Sequence, residues 1–171
     1  MNSKPECTSI NLVSLESITV PLNIKAAKTS NFISSFNDDY PNEDLVLRNL
    51  NYSIIIKIKD FLEYHADHPP KKILMPNPKK DFKDCVDQWD YDFINNCDVE
   101  TILQLMNAAN FLQINSLLDL TSAKIASMIK GKNSEEIRRI LNMEDDDENE
   151  IECAEEEKVD SDDDNDEIFR E

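Results

Sequence analysis

The sequence predicts an α/β fold, on three observations. Segments rich in β-branched and apolar residues, the first two with partial alternation, lie in the first fifty residues. Apolar residues at helical spacing dominate from residue 99 to about 142. Between them, "DHPPKKILMPNPKKD" at 67–81 carries four prolines and breaks any regular element, dividing the chain into two parts.

The elements follow in order. "SINLVSL" and "SITVPL" read as a short strand pair, and "LNIKAAKTS" then has a helical pattern. Ser30 can cap a further turn, "NFISSF", whose Phe32, Ile33 and Phe36 have helical spacing. "DLVLRNL" is a third strand candidate. In "YSIIIKIKDFLEYHA" three successive isoleucines favour a strand. Ile54, Ile58, Phe61 and Leu62 nevertheless keep the i, i+4, i+7, i+8 rule, and with Asn51 as N-cap the run is read as helix. Residues 69–85 are expected to form a mobile Pro/Lys-rich loop. Helices are expected at about 99–112, 115–130 and 134–142. Gly131 stands where a left-handed cap belongs, and Asn133 with Glu136 has capping-box spacing.

The net charge of −18 is unevenly spread. Residues 144–171 hold 17 acidic and two basic side chains, a net of −15, while residues 1–143 hold 19 and 16, a net of −3. The end of the chain is therefore expected to be a largely disordered acidic tail. A nearly balanced body disfavours nucleic acid as partner, because phosphate binding needs clustered Lys and Arg. One glycine in the whole chain excludes Gly-rich phosphate loops. No apolar run is long enough to span a membrane, and "MNSKPECTSI" lacks the layout of a signal peptide. Cysteines 7, 85, 97 and 153 form no C-x-x-C pair, which fits free thiols in a reducing compartment and a cytoplasmic and nuclear location.

No catalytic constellation emerges, and no cofactor is expected. His65 and His68 form H-x-x-H, but the helix runs straight into Pro69 and Pro70, so the pair reads as a polar helix end rather than a metal site. The acidic run "EDDDENE" lacks the glycine and spacing of a calcium loop. Trp89, the single tryptophan, reads as a core residue.

Two surfaces stand out instead. Winding residues 102–112 at about 100° per residue gathers Ile102, Leu105, Met106, Ala109 and Leu112 on one arc. Phe111 falls nearly opposite, beside Gln104 and Asn107, where a ring is either covered by another part of the chain or open to a partner. The next helix carries a wide apolar stripe of Leu117, Leu118, Ile125, Met128 and Ile129, widened by Leu120. A short amphipathic segment, Ile137, Ile140, Leu141 and Met143, follows it. Such excess apolar surface marks binding sites.

These residues resemble the S-phase kinase-associated protein family, the adaptors that join F-box proteins to cullin in ubiquitin ligases. The matching features are W-D-x-x-F at 89–93, A-A-N-aromatic-L at 108–112, L-L-D at 117–119, M-I-K-G-K at 128–132 and E-E-I-R at 135–138. Upstream, residues 9–32 and 44–70 resemble the family's BTB/POZ half more loosely, with a shorter hairpin turn that lacks the relatives' glycine. The resemblance implies a BTB/POZ fold, a small three-stranded sheet with surrounding helices, its N-terminal part at 7–68 and its C-terminal helical part at 86–143. It implies no catalysis. It implies a cullin-binding face at Met106, Asn107, Asn110 and Phe111, and an F-box-binding face at Leu117, Leu118, Ile125, Met128, Ile129, Leu141 and Met143. The family's last helix carries a tryptophan that is absent from 144–171 here.

Two other readings compete. An elongin-C-like BTB adaptor would end before "GKNSEEIRRILNM", so that segment favours the F-box adaptor. An acidic-tailed binder of basic proteins would draw on the tail's charge. An unpaired adaptor also exposes its apolar groove, which favours weak self-association.

Overall fold

The computed structural model describes residues 8–73 and 81–142. Strand β1 (Ser9–Val13) alternates, turning Ile10 and Leu12 into the core. Strand β2 (Thr19–Asn23) returns antiparallel, with Leu22 opposite Ile10 and Val20 opposite Leu12, so four apolar side chains share one face. Pro21 is tolerated because β2 is an edge strand. Strand β3 (Leu45–Val46) joins the other side of β1 in parallel, giving the order β2-β1-β3. The third strand candidate pairs for only two residues, because the chain turns at Leu50, whose N–H donates to the Leu47 carbonyl at 3.2 Å.

The hairpin turn closes without glycine. Ser17 takes the left-handed conformation at φ 62°, and its N–H donates to the Ser14 carbonyl at 2.9 Å. Beside it, the Glu16 carboxylate accepts from the Tyr52 N–H at 2.9 Å. It thereby satisfies a free donor at the start of α3 (Tyr52–Asp67), whose N-cap, Asn51, makes no side-chain cap bond. Hydrogen bonds from Ser14 and nearby backbone hold the Glu16 carboxyl below the usual range. The isoleucine run is helical, as the longer period requires. Ile54, Ile55, Ile58, Phe61 and Leu62 are all buried in α3, so the β-branched preference yields to packing.

Short helix α1 (Ile24–Ala27) leads into α2 (Asn31–Asp39), which Ser30 caps. The Ser30 hydroxyl accepts from Ile33 N–H at 3.1 Å and donates to the Leu112 carbonyl at 2.6 Å, in a fully buried position. One hydroxyl thus fastens the start of α2 to the end of α6 (Val99–Phe111). The segment expected as a loop over 69–85 contains a single helical turn, α4 (Phe82–Cys85), while residues 74–80 fall outside the described residues. "WDYDF", to which the periodicity assigns no element, lies in α5 (Gln88–Asn95). Helices α7 (Asn115–Ile129) and α8 (Ser134–Ile140) complete the described chain. No helix among the described residues is long and apolar enough to cross a membrane.

His65 is a correction to the polar-helix-end reading. It is only 6 % exposed. Its Nε2 lies 2.9 Å from Asp90 Oδ1 and its Nδ1 lies 2.7 Å from the His68 carbonyl. Both partners are acceptors, so only the doubly protonated ring satisfies both. Burial pulls the His65 pKa down, but the Asp90 hydrogen bond, the His68 carbonyl and the charges of Asp90 and Asp87 outweigh it and raise it above the ordinary value. Phe61 and Tyr64 flank the ring, and Trp89 meets it edge-on at 5.6 Å. Trp89 itself stacks on Tyr64 at 3.9 Å and on Phe93 at 5.2 Å, half-buried against the core. The W-D-x-x-F segment is therefore the clasp between α3 and α5. No group of three or more His, Cys, Asp or Glu side chains among the described residues is arranged to hold a metal ion.

Candidate protein-docking faces

The first face is built by the end of α6. Ile102, Leu105, Ala108, Ala109 and Leu112 are buried, which turns Asn107, Asn110 and Phe111 outward. Gln113 then enters the left-handed region at φ 54°. Its N–H donates to the Asn110 carbonyl at 3.2 Å, and the Ile114 N–H reaches back to the Ala109 carbonyl at 2.8 Å. This is a Schellman motif closed by glutamine in place of the usual glycine, with Ile114 buried behind it. It fixes Phe111 in the last helical turn.

Phe111 is both covered and open. Its ring packs against Phe32 of α2, centroids 5.2 Å apart, and remains 42 % exposed. The Ser30–Leu112 hydrogen bond holds α2 in the place this contact needs. Met106 sits at the rim, half-buried, with its sulfur 3.9 Å from the Ser122 hydroxyl of α7. Beside Asn107 a shallow cleft of about 280 Å³ is lined by Asn49, Leu50, Asn51, Ile54, Gln104 and Ala108. Of the amides around this cleft, Asn49 and Asn51 were not among the candidate residues. No local pattern marks them, because Asn49 and Asn51 come from the turn before α3, more than fifty positions away in the chain.

The second face lies on α7 and α8, and here one candidate moves. Leu117 is fully buried, as are Leu120, Thr121 and Ala123. Helix α7 packs along α6, and Leu117 belongs to the body's core. It is not available to a partner. Leu118, Ile125, Met128 and Ile129 are half-buried, with Leu118, Ile125 and Met128 packed on the core by one side only. The Thr121 hydroxyl is satisfied within the helix by the Leu117 and Leu118 carbonyls at 2.9 and 3.0 Å.

The link to α8 is a tight turn. Lys130 has φ −58° and ψ 121°, Gly131 has φ 74°, and Lys132 N–H donates to the Ile129 carbonyl at 3.1 Å. These are the angles of a type II turn, which needs a left-handed third residue. The capping box at α8 is complete. Glu136 N–H donates to Asn133 Oδ1 at 2.8 Å and Asn133 N–H to Glu136 Oε2 at 3.0 Å. Leu141 is half-buried beyond α8, with Asn142 left-handed after it. Met143 and the tail at 144–171 lie outside the described residues.

Comparison with known proteins agrees with this architecture. Residues 115–160 match the Skp1 family dimerisation domain. The S-phase kinase-associated protein 1 homolog of Tetrahymena thermophila is 34 % identical over 140 residues, covering 81 % of this chain and 84 % of the relative. An E3 ubiquitin ligase complex SCF subunit, sconC of Arthroderma benhamiae, is 31 % identical over 139 residues, 80 % of this chain and 84 % of the relative. The SCF ubiquitin ligase complex protein SKP1a of Dictyostelium discoideum is 39 % identical over 102 residues, 58 % and 60 % of the two chains. With a three-stranded sheet, the helical extension and these relatives, the chain belongs to the S-phase kinase-associated protein 1 family.

Proposed function

We propose that this chain is the non-catalytic adaptor of an SCF-type cullin–RING ubiquitin ligase, bridging a cullin to an F-box substrate receptor. The observation that carries the proposal is the presence of two partly exposed surfaces on different helices of one body. Asn107, Asn110 and Phe111 stand at the exposed end of α6, and Leu118, Ile125, Met128 and Ile129 stand on α7. A bridging subunit needs two such faces that can be filled together. The first takes the cullin and the second, with Leu141 and Met143, takes the F-box. Met106, at the rim near α7, contributes packing to the first face. The relatives that bear the names of SCF subunits support the same role.

A complete α8 with its capping box supports an F-box partner over the short helix that an elongin-C-like adaptor takes. Reconstitution tests the bridge. The full chain mixed with a cullin N-terminal domain and an F-box protein elutes as one ternary complex. Two binary complexes that exclude each other would contradict bridging.

A further inference from the structure

We propose that in the free chain the acidic tail at 144–171 folds back over α8 and α7 and seats Phe169 beside the stripe assigned to the F-box, so that tail and F-box compete for this face. The competition rests on the assignment of Leu118, Ile125, Met128 and Ile129 to the F-box. Residues 124–142 hold five basic and two acidic side chains, a net of +3, whereas residues 1–123 hold 11 and 17, a net of −6. Lys130, Lys132, Arg138 and Arg139 are exposed at the α7–α8 turn and on α8, with Lys132 Nζ 3.3 Å from Glu136 Oε1. The tail, with a net charge of −15, follows directly on this basic stretch, and six of residues 144–150 are acidic. Carboxylates just past a helix C-terminus are repelled by its free carbonyls, while Arg138 and Arg139 lie in the last turn of α8 and draw the run back along the helix.

A seat lies beside the stripe. A depression of about 220 Å³ is lined by Ile73, Asp119, Ser122, Ala123 and Ala126. Ser122 and Ala126 follow Leu118 at i+4 and i+8, so the depression adjoins the side of α7 that carries Leu118 and Ile129. A cavity of about 150 Å³ holds benzene, so this one has room for a phenyl ring. Ile168 and Phe169 are the only adjacent pair of large apolar side chains in the tail, and Arg170 follows them. Asp119, exposed at the rim, is the counter-charge for Arg170 when Phe169 is seated. Phe169 stands 27 positions beyond Asn142, and a flexible chain of that length spans about 28 Å on average. The 15 residues of α7 rise about 22 Å, so the ring reaches every part of the stripe. A tethered segment acts at an effective concentration of about a millimolar, and two chains of −18 each repel one another. Both effects favour the chain's own tail over a second copy.

The full-length chain, labelled at its isoleucine and methionine methyls, is compared by NMR with Phe169→Ser, and both are titrated with an F-box domain. The methyl signals of Ile73, Ile125 and Met128 in the free chain are expected to shift in Phe169→Ser. Raising the salt of the parent to about 0.5 M, where the Debye length falls to about 4 Å, should move its signals toward the variant's. Phe169→Ser should bind the F-box domain about threefold to tenfold more tightly, because no tail contact has to open first. Unchanged Ile73, Ile125 and Met128 signals would overturn the tail contact. Shifted signals with weaker F-box binding in Phe169→Ser would make the tail part of the F-box grip and overturn the competition. A difference between parent and variant that vanishes on dilution would assign the seat to a second copy, and the proposal fails. Shifted signals with no F-box binding by either chain would sustain the tail contact and overturn the F-box assignment alone.

Discussion

The placement of Phe111 illustrates how much a single backbone conformation decides. Gln113 must adopt φ 54° for the Ile114 N–H to reach the Ala109 carbonyl, and that closure ends α6 one turn after Asn107. A left-handed L-residue costs about 1–2 kcal/mol, part of which glycine regains while losing more freedom on folding. Gln113→Gly is therefore expected to stabilise the protein by about 0.5–1 kcal/mol, read as a higher urea midpoint at an unchanged m value. Ser17→Gly should act in the same direction for the same reason. His65 supplies a second residue-scale test. Its folded-state pKa is raised, so the pair with Asp90 contributes fully below the unfolded histidine value and its contribution is lost as pH rises through the folded value. The gap in thermal midpoint between the parent chain and Asp90→Asn should be widest near about pH 5.5 and narrow toward about pH 8.5. A gap that grows with pH would contradict a protonated His65.

At the scale of elements, the apolar stripe of α7 divides into a buried and a half-buried part. Leu117 has no exposed surface, whereas Leu118 is half-buried against the core. Leu117→Ala should cost about 2–5 kcal/mol of folding stability as a cavity forms in the core. Leu118→Ala should cost less stability and more F-box affinity, and urea unfolding beside F-box titration separates the two effects. The sequence periodicity identified the stripe as wider than one neighbour can cover, but not where its inner edge lies. That edge is set by the angle at which α7 meets α6, a tertiary property. The strands, the helical reading of the isoleucine run, the Ser30 cap and the Asn133–Glu136 box were legible because each has a local cause. The role of His65 was not, since its partner Asp90 is 25 positions away and comes from α5, a short helix with little periodicity. Nor was the cover on Phe111 legible, because the Phe32 ring reaches it only through the fold.

For the molecule as a whole, the described body presents the exposed end of α6 and the half-buried apolar edge of α7 as separate surfaces, and the proposed bridge assigns one partner to each. The tail's net charge of −15 suits long-range attraction to basic proteins at low salt, and deleting 144–171 should remove that attraction while sparing the cullin face. Hot-spot residues carry most of an interface's energy, about 2 kcal/mol or more each, so a pair of charges placed at the exposed end of α6 should silence one partnership and not the other. The most direct measurement is capture by the full-length Asn110→Lys/Phe111→Lys variant of a cullin N-terminal domain and, separately, of an F-box protein. The two-face scaffold predicts that cullin capture is lost and F-box capture keeps the parent's level; cullin capture at the parent's level, or loss of both partners from a folded variant, would contradict it.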